Sequence, residues 1–257
     1  MPAQVPVTEH RVPVAGRGSL WCWDTGGGGS AVILLHPHSG SGESWPYQQP
    51  VLAAAGHRVI GYSRRGTRGS APGTRTRTGT GTGTGTGTSD VADLNALADH
   101  LGLTAFHLVG AAAGGRIALA YALAHGTRLL GLTLSGSALD LPVPARVEAL
   151  PVEFRELGPA YRARNPDGVA AWLAVHERAG TATGPPPPLP PAAPEALARP
   201  VQLITGDADP YCPPSRLRHL ARRFGDAEAH IVAGAGHNPH WERPDTWNRL
   251  LIRFLNR

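Results

Sequence analysis

Short apolar runs recur along the chain, and most are followed by a stretch with helical spacing. Ala31-Val-Ile-Leu-Leu35 is uninterrupted, as expected of a strand buried on both faces. His57–Tyr62, Phe106–Gly110, Leu129–Ser135, Val201–Thr205 and Ala229–Val232 repeat the pattern. Between them the spacing predicts a helix from about Ser44 to Ala55 and another, capped by Ser89 or Asp90, to about Leu101. Further helices are predicted over Gly114–His125, where Ile117, Ala120, Tyr121 and Leu123 are apolar, over Ser215–Phe224, and from Pro244 onward. Parallel strands need crossover connections, so the alternation predicts an α/β class: a mostly parallel central sheet flanked by helices.

Two segments break the rhythm. Residues 71–89 turn into Thr-Arg repeats and an alternating Gly-Thr tract. With a glycine at every second position one face has nothing to bury, which predicts a mobile surface loop. Residues 137–200 interrupt the strand alternation with mixed helix and end in the proline-rich run Pro185–Pro191. They are the natural candidate for a small helical lid. Both fit as insertions within one domain spanning 1–257.

Composition removes several function classes. The chain is 41% hydrophobic and 17% charged, with a net charge of +5 carried by arginine alone. A pI near 9.9 raises nucleic acid as a partner, but the arginines are scattered singly or in pairs with no basic helix. A solvated basic surface is the expectation for Arg64 and Arg65. Cys22 and Cys212 match no metal or redox spacing. Met1–Gly16 lacks a secretory apolar core, and the apolar stretch around Leu129–Leu134 is too short for a membrane. The default is therefore a cytoplasmic protein with a small-molecule substrate, no metal and no cofactor. Gly110-Ala-Ala-Ala-Gly114-Gly115 is no dinucleotide loop, since no acidic partner follows at about 20 residues.

Chemistry gathers in three loops, each following a predicted strand. In a parallel sheet such loops converge at the carboxyl edge. In the first, Gly110 and Gly114 suit a tight strand-to-helix turn with Ala112 at its apex, and the following helix aims its amides there. A methyl group attacks nothing. The second, Gly206-Asp-Ala-Asp209-Pro, offers Asp207 or Asp209 to orient a histidine; Asp209 lies one residue further into the turn and fits better. The third, Gly234-Ala-Gly236-His237-Asn-Pro239-His240, offers His237, with His240 as the competitor nearer the next helix.

The order of elbow, acid and histidine resembles the α/β-hydrolase family from Ala31 to the C-terminus. His36-Pro37-His38-Ser39-Gly40 is similar to the family's oxyanion loop, and Tyr62-Ser-Arg-Arg-Gly66 with Ser70 is similar to its Asp-x-Arg-Gly-x-Gly-x-Ser turn. The resemblance implies Asp209 as the acid, His237 as the base, and the amides of His38 and Ala113 as oxyanion donors. His36, Ser39 and Trp241 are candidates for the pocket lining.

Two departures matter. Pro37 replaces a usual glycine, and Ala112 stands at the nucleophile's position. Three readings follow. The chain is an enzyme acting on a small apolar carbonyl compound through His/Asp general-base chemistry without a serine; or a serine hydrolase carrying alanine at 112; or a non-catalytic ligand-binding member of the fold. Cys212 is a poor substitute nucleophile, set on the acid loop, and Ser39 is the best outsider, with Ser41 and Ser44 beside it.

Overall fold

The computed structural model describes residues 1–14, 16–72, 87–139, 145–180, 182, 189–190 and 193–257, the first three residues of 87–100 as backbone only. Most of the 71–89 tract and of Pro185–Pro191 lies outside the described residues.

Eight strands form one sheet: β1 (Thr8–Pro13), β2 (Ser19–Asp24), β3 (Ala31–Leu35), β4 (Arg58–Tyr62), β5 (Phe106–Ala111), β6 (Leu129–Ser135), β7 (Val201–Gly206) and β8 (Ala227–Val232). Their order is β1-β2-β4-β3-β5-β6-β7-β8. From β4 to β8 every neighbouring pair is parallel, while β1 and β2 attach antiparallel at one edge. The expected α/β sheet is therefore present. Its strands lie where the apolar runs placed them, within a residue or two. Strands β1 and β2 have no counterpart in the sequence reading: on β1, Glu9, Arg11 and Pro13 face solvent and break up any apolar run, whereas the buried Leu20–Trp23 run of β2 is legible and was missed.

The helices are α1 (Gln49–Ala54), α2 (Gly87–His100), α3 (Ala113–His125), α4 (Ala145–Glu148), α5 (Val152–Glu156), α6 (Pro159–Arg164), α7 (Pro166–Ala179), α8 (Pro214–Ala221), α9 (Pro239–Glu242) and α10 (Pro244–Leu255). The helix expected from Ser44 is shorter. A 3-10 turn covers Gly42–Ser44, and α1 begins only at Gln49. Pro46 supplies the reason, because the residue before a proline is pushed out of helical geometry; Trp45 sits at φ −118°, ψ 37°.

Alternate residues of each central strand feed opposite faces. Ile33, Leu35 and Leu108 pack with Leu94, Leu97, Ile117 and Leu217 of α2, α3 and α8. Val32, Leu34, Val109 and Ile204 pack with Leu52, Trp247 and Leu251 of α1 and α10. Helices α4–α7 all fall between β6 and β7, and they carry a small core of their own, Leu157, Tyr161, Trp172 and Val175, closed by Trp241 of α9.

Arg64 and Arg65 correct the expectation of a solvated basic pair. Both are buried, facing carboxylates of α2: Arg64 lies 3.2 Å from Asp90 and Arg65 2.5 Å from Asp93. Asp90 is thus spent on a tertiary ion pair rather than on a cap, and α2 begins earlier, at Gly87. Burial raises the Asp90 carboxyl above its ordinary value despite the neighbouring guanidinium of Arg64. A buried pair adds little net stability over an apolar replacement, yet halving it strands a charge. Asp93→Ala is therefore expected to destabilise the fold by about 3–5 kcal/mol in urea denaturation, and the double change Arg65→Met with Asp93→Leu to recover most of that loss. A loss under about 1 kcal/mol for Asp93→Ala would show that Arg65 finds another partner.

Candidate active site

Parallel pairing puts the carboxyl ends of β3, β5, β7 and β8 along one edge of the sheet, and the loops leaving them meet there. The turn from β5 into α3 is the tightest. A Cβ at Gly110 would stand 2.6 Å from the Gly114 carbonyl carbon, and one at Gly114 would stand 2.5 Å from the Leu35 oxygen. Only glycine lets the strand, the helix and β3 approach this closely. Squeezed between them, Ala112 takes φ 48°, ψ −114°, the single positive φ outside glycine among the described residues. Its amide donates to Ser135 O at 2.8 Å, and its carbonyl accepts from Gly115 N at 3.0 Å and Ser137 Oγ at 3.1 Å.

The acid and the histidine come from adjacent strands. Asp209 follows β7, and its buried carboxylate accepts from Thr205 Oγ1 (2.9 Å), Tyr211 N (2.8 Å) and Cys212 N (3.0 Å). Its two oxygens lie 2.9 and 3.0 Å from Nδ1 of His237, which follows β8. Burial alone would push the Asp209 carboxyl up, but His237 and the two amides outweigh it and hold it below the usual carboxylate range. Burial likewise acts to lower the imidazole. Asp209 first, then Glu156 and Glu242, more than offset that and raise His237 to about 9. With Nδ1 committed to the carboxylate, Nε2 is the atom left for chemistry.

A cavity of about 290 Å³ joins these loops. Ala112, Ala113, His38, Ser39 and His237 all line it. The N–H groups of His38 and Ala113 donate to no acceptor of the chain among the described residues. The apex, the two residues with unspent amides and the imidazole thus line one space.

Other residues singled out in the sequence sit elsewhere. His36 is fully buried outside the cavity: Nδ1 donates to Pro37 O at 2.6 Å and Nε2 accepts from Arg64 N at 3.0 Å. Burial, with Arg64 beside it, lowers its pKa to about 3, so it is a neutral brace for the loop that follows β3. Trp241 closes the core of the inserted helices, its Nε1 donating to Gly168 O at 3.3 Å, and also lies off this cavity. His240 is a core ring 4.7 Å from Trp45, lowered to about 3 foremost by burial. Asp207 accepts from Gly234 N at 2.9 Å in a surface turn. Ser41 and Ser44 exchange capping bonds with each other's backbone. Cys212 is buried in the acid turn.

Four residues of the site gave no sequence signal. Tyr211 lies against the His237 ring, centroids 4.3 Å apart and tilted 44°. Gly136, at φ 59°, leaves room for that ring, since a Cβ there would stand 3.1 Å from Nδ1. Glu156, at the end of α5, lines the cavity and accepts from Asn238 Nδ2 at 3.1 Å. Glu242 is buried and accepts from Gly158 N (2.8 Å), Gly236 N (2.9 Å) and Asn238 N (3.3 Å). Burial raises its carboxyl to about 7 against the pull of those amides. Among the described residues no three His, Cys, Asp or Glu side chains group to hold a metal, and no helix is long and apolar enough to cross a membrane.

Comparison with known proteins agrees with this architecture. The chain is 26% identical over 270 aligned positions to 2-hydroxy-6-oxononadienedioate/2-hydroxy-6-oxononatrienedioate hydrolase 1 of Dechloromonas aromatica, covering 90% of this chain and 89% of that protein. It is 26% identical over 271 positions to 2-hydroxy-6-oxo-6-phenylhexa-2,4-dienoate hydrolase of Comamonas testosteroni, covering 91% and 90%. Among solved structures, the enol-lactonase of Burkholderia xenovorans superposes with a TM-score of 0.76 at 21% identity, over 98% of this chain and all of that one. Residues 32–250 match the Alpha/beta hydrolase family, and to that family this chain belongs.

Proposed function

We propose that this protein hydrolyses a small, largely apolar carbonyl compound by general-base chemistry, with His237 as base, Asp209 as its orienting acid, and water in place of a side-chain nucleophile. One observation carries the reading. The buried His237–Asp209 pair opens onto the same cavity as the methyl of Ala112 and two unspent amides. A cavity whose walls include Pro37, Ala112, Ala113 and Ala138 suits apolar substrate atoms. Both curated relatives are named for substrates bearing a 6-oxo group, a carbonyl of the kind water adds to. Helices α4–α7 act in this reading as the lid.

The chemistry runs as follows. His237 Nε2 takes a proton from water as its oxygen bonds to the carbonyl carbon, and the displaced π electrons become an oxyanion held by the His38 and Ala113 amides. The tetrahedral species collapses, the bond to the leaving group breaks, and His237 returns the proton to it. A positioned base supplies roughly 10²–10⁴-fold and each oxyanion donor about 10²–10³-fold, enough for an activated ester, a lactone or a thioester. A second reading, a serine hydrolase carrying alanine at 112, draws support from φ 48° at Ala112, the exposed elbow geometry an attacking side chain requires.

The test is an assay of the parent, Ala112→Ser and His237→Ala on p-nitrophenyl butyrate, δ-valerolactone and 2-hydroxy-6-oxo-6-phenylhexa-2,4-dienoate. The parent is expected to turn over at least one compound, and His237→Ala to lower kcat/KM by about 10²–10⁴-fold. Ala112→Ser is expected to gain burst kinetics and labelling by a fluorophosphonate that the parent lacks. Ligand binding without turnover, unchanged in His237→Ala, would replace the proposal with a binding role.

A pH profile supplies a further check. The base is active only when neutral, and His237 titrates near 9. After background subtraction kcat/KM should therefore climb about tenfold per pH unit until it levels off near that value. Asp209→Asn should move the midpoint to lower pH. The same raised pKa makes the pair stabilising below the unfolded value of 6.5, and that contribution should fade as pH rises through about 9. A profile already flat from pH 6 would remove His237 as the base.

A further inference from the structure

A water that attacks a carbonyl has two O–H groups to place. One points at the base, and the lone pair between them aims at the carbon. The second needs an acceptor, or the water tumbles and attack becomes improbable. Where a serine attacks, its side chain is tethered and this problem does not arise. With a methyl at Ala112 it does.

Besides His237, the side-chain acceptors lining the cavity are the His38 ring, two hydroxyls and two carboxylates. Ser39 and Tyr211 present neutral hydroxyls, Ser39 with its carbonyl already taken by His176 Nδ1 at 2.7 Å. Glu148 is exposed. Glu156 alone among them is a buried carboxylate, 8% exposed. It is also fixed relative to the histidine. Asn238, the residue after His237, donates through Nδ2 to the Glu156 carbonyl at 3.0 Å and to its Oε2 at 3.1 Å. Oε1 has no partner in the chain among the described residues, and a charged acceptor is roughly twice as strong as a neutral one.

We propose that Glu156 is a further catalytic residue of this site, its Oε1 accepting the second O–H of the water that His237 deprotonates. The inference rests on the reading of His237 as base. Glu156 gains no proton in the step: it holds the water while the proton passes to Nε2, and the new C–O bond forms as in the scheme above. Its charge also faces the imidazole and stabilises the cation that forms, together with Asp209 and Glu242. Facing it in turn are the His38 ring and Arg155 at the cavity wall and the Tyr211 hydroxyl.

Glu156→Gln keeps the size and the bond to Asn238 and removes the charge. On the three compounds above it is expected to lower kcat about 10²-fold with KM within about threefold, and Glu156→Asp to recover part of the loss. It should also shift the rising limb of the pH profile to lower pH. A structural role is separated by the serine background. Ala112→Ser with Glu156→Gln should lose far less of its fluorophosphonate reactivity than Glu156→Gln loses of kcat, because there serine attacks and no water needs holding, and only the change in imidazole basicity remains. A kcat of Glu156→Gln within about threefold of the parent overturns the inference, and so does an equal slowing of fluorophosphonate labelling. If His237→Ala retains activity, or the parent turns over none of the compounds, the reading beneath falls and the inference with it. If His237→Ala abolishes activity while Glu156→Gln leaves it intact, the inference alone falls.

Discussion

The buried carboxylate of Asp209 constrains everything around it. A charge removed from water must be met by donors or it neutralises, and here four are supplied: a threonine hydroxyl, two consecutive turn amides and an imidazole. The three short-range donors fold residues 205–212 into one turn. The fourth comes from the neighbouring strand end and fixes a ring rather than a loop. Because the carboxylate accepts from Nδ1, the tautomer and the direction of Nε2 are set together. Tyr211 and Gly136 then shape the slot in which that ring sits, one by contact and the other by having no side chain.

The turn at Ala112 is a different kind of constraint, since strained backbone of this kind costs about 1–3 kcal/mol and no side-chain chemistry recovers it here. What maintains it is geometry. With Gly110 and Gly114 pressed against neighbouring backbone, strand β5 and helix α3 leave the intervening residue no relaxed alternative. The conformation therefore survives the absence of a nucleophile. So do its by-products, an unspent amide at Ala113 and a small apex that leaves volume beside His237.

How much of this was legible in the sequence follows the range of the interactions. Parallel strands buried on both faces write themselves as apolar runs, so Ala31–Leu35 and Leu129–Ser135 fall where expected. The acid and histidine turns were readable because each sits just past such a run. Pro46 shortened a helix that periodicity alone would have drawn from Ser44. Arg64 and Arg65 look solvated in sequence because their carboxylates lie 26 and 28 positions away, beyond the Gly-Thr tract. His36 belongs to the right loop, yet its ring turns inward to Arg64 N. Glu156 and Glu242 are ordinary helix-end acids until tertiary contacts bury them, and no local pattern records that.

Those two acids also tie the inserted helices to the histidine loop. Glu242 takes Gly158 N on one side and Gly236 N on the other, while Asn238 holds both the carbonyl and the carboxylate of Glu156. The inserted helices and the histidine loop therefore share one buried hydrogen-bond network, and displacing one strips partners from the other, at about 1–3 kcal/mol for each polar group left bare. Three carboxylates, Asp209, Glu156 and Glu242, then bear on a single imidazole. Such a field makes His237 a stronger base than an isolated histidine and favours the imidazolium that follows proton transfer. Under the proposed mechanism, in which water attacks and the apex supplies no nucleophile, the rate of addition depends on the strength of that base. The contacts that tie the inserted helices to the histidine loop thus also raise the basicity on which the proposed chemistry depends.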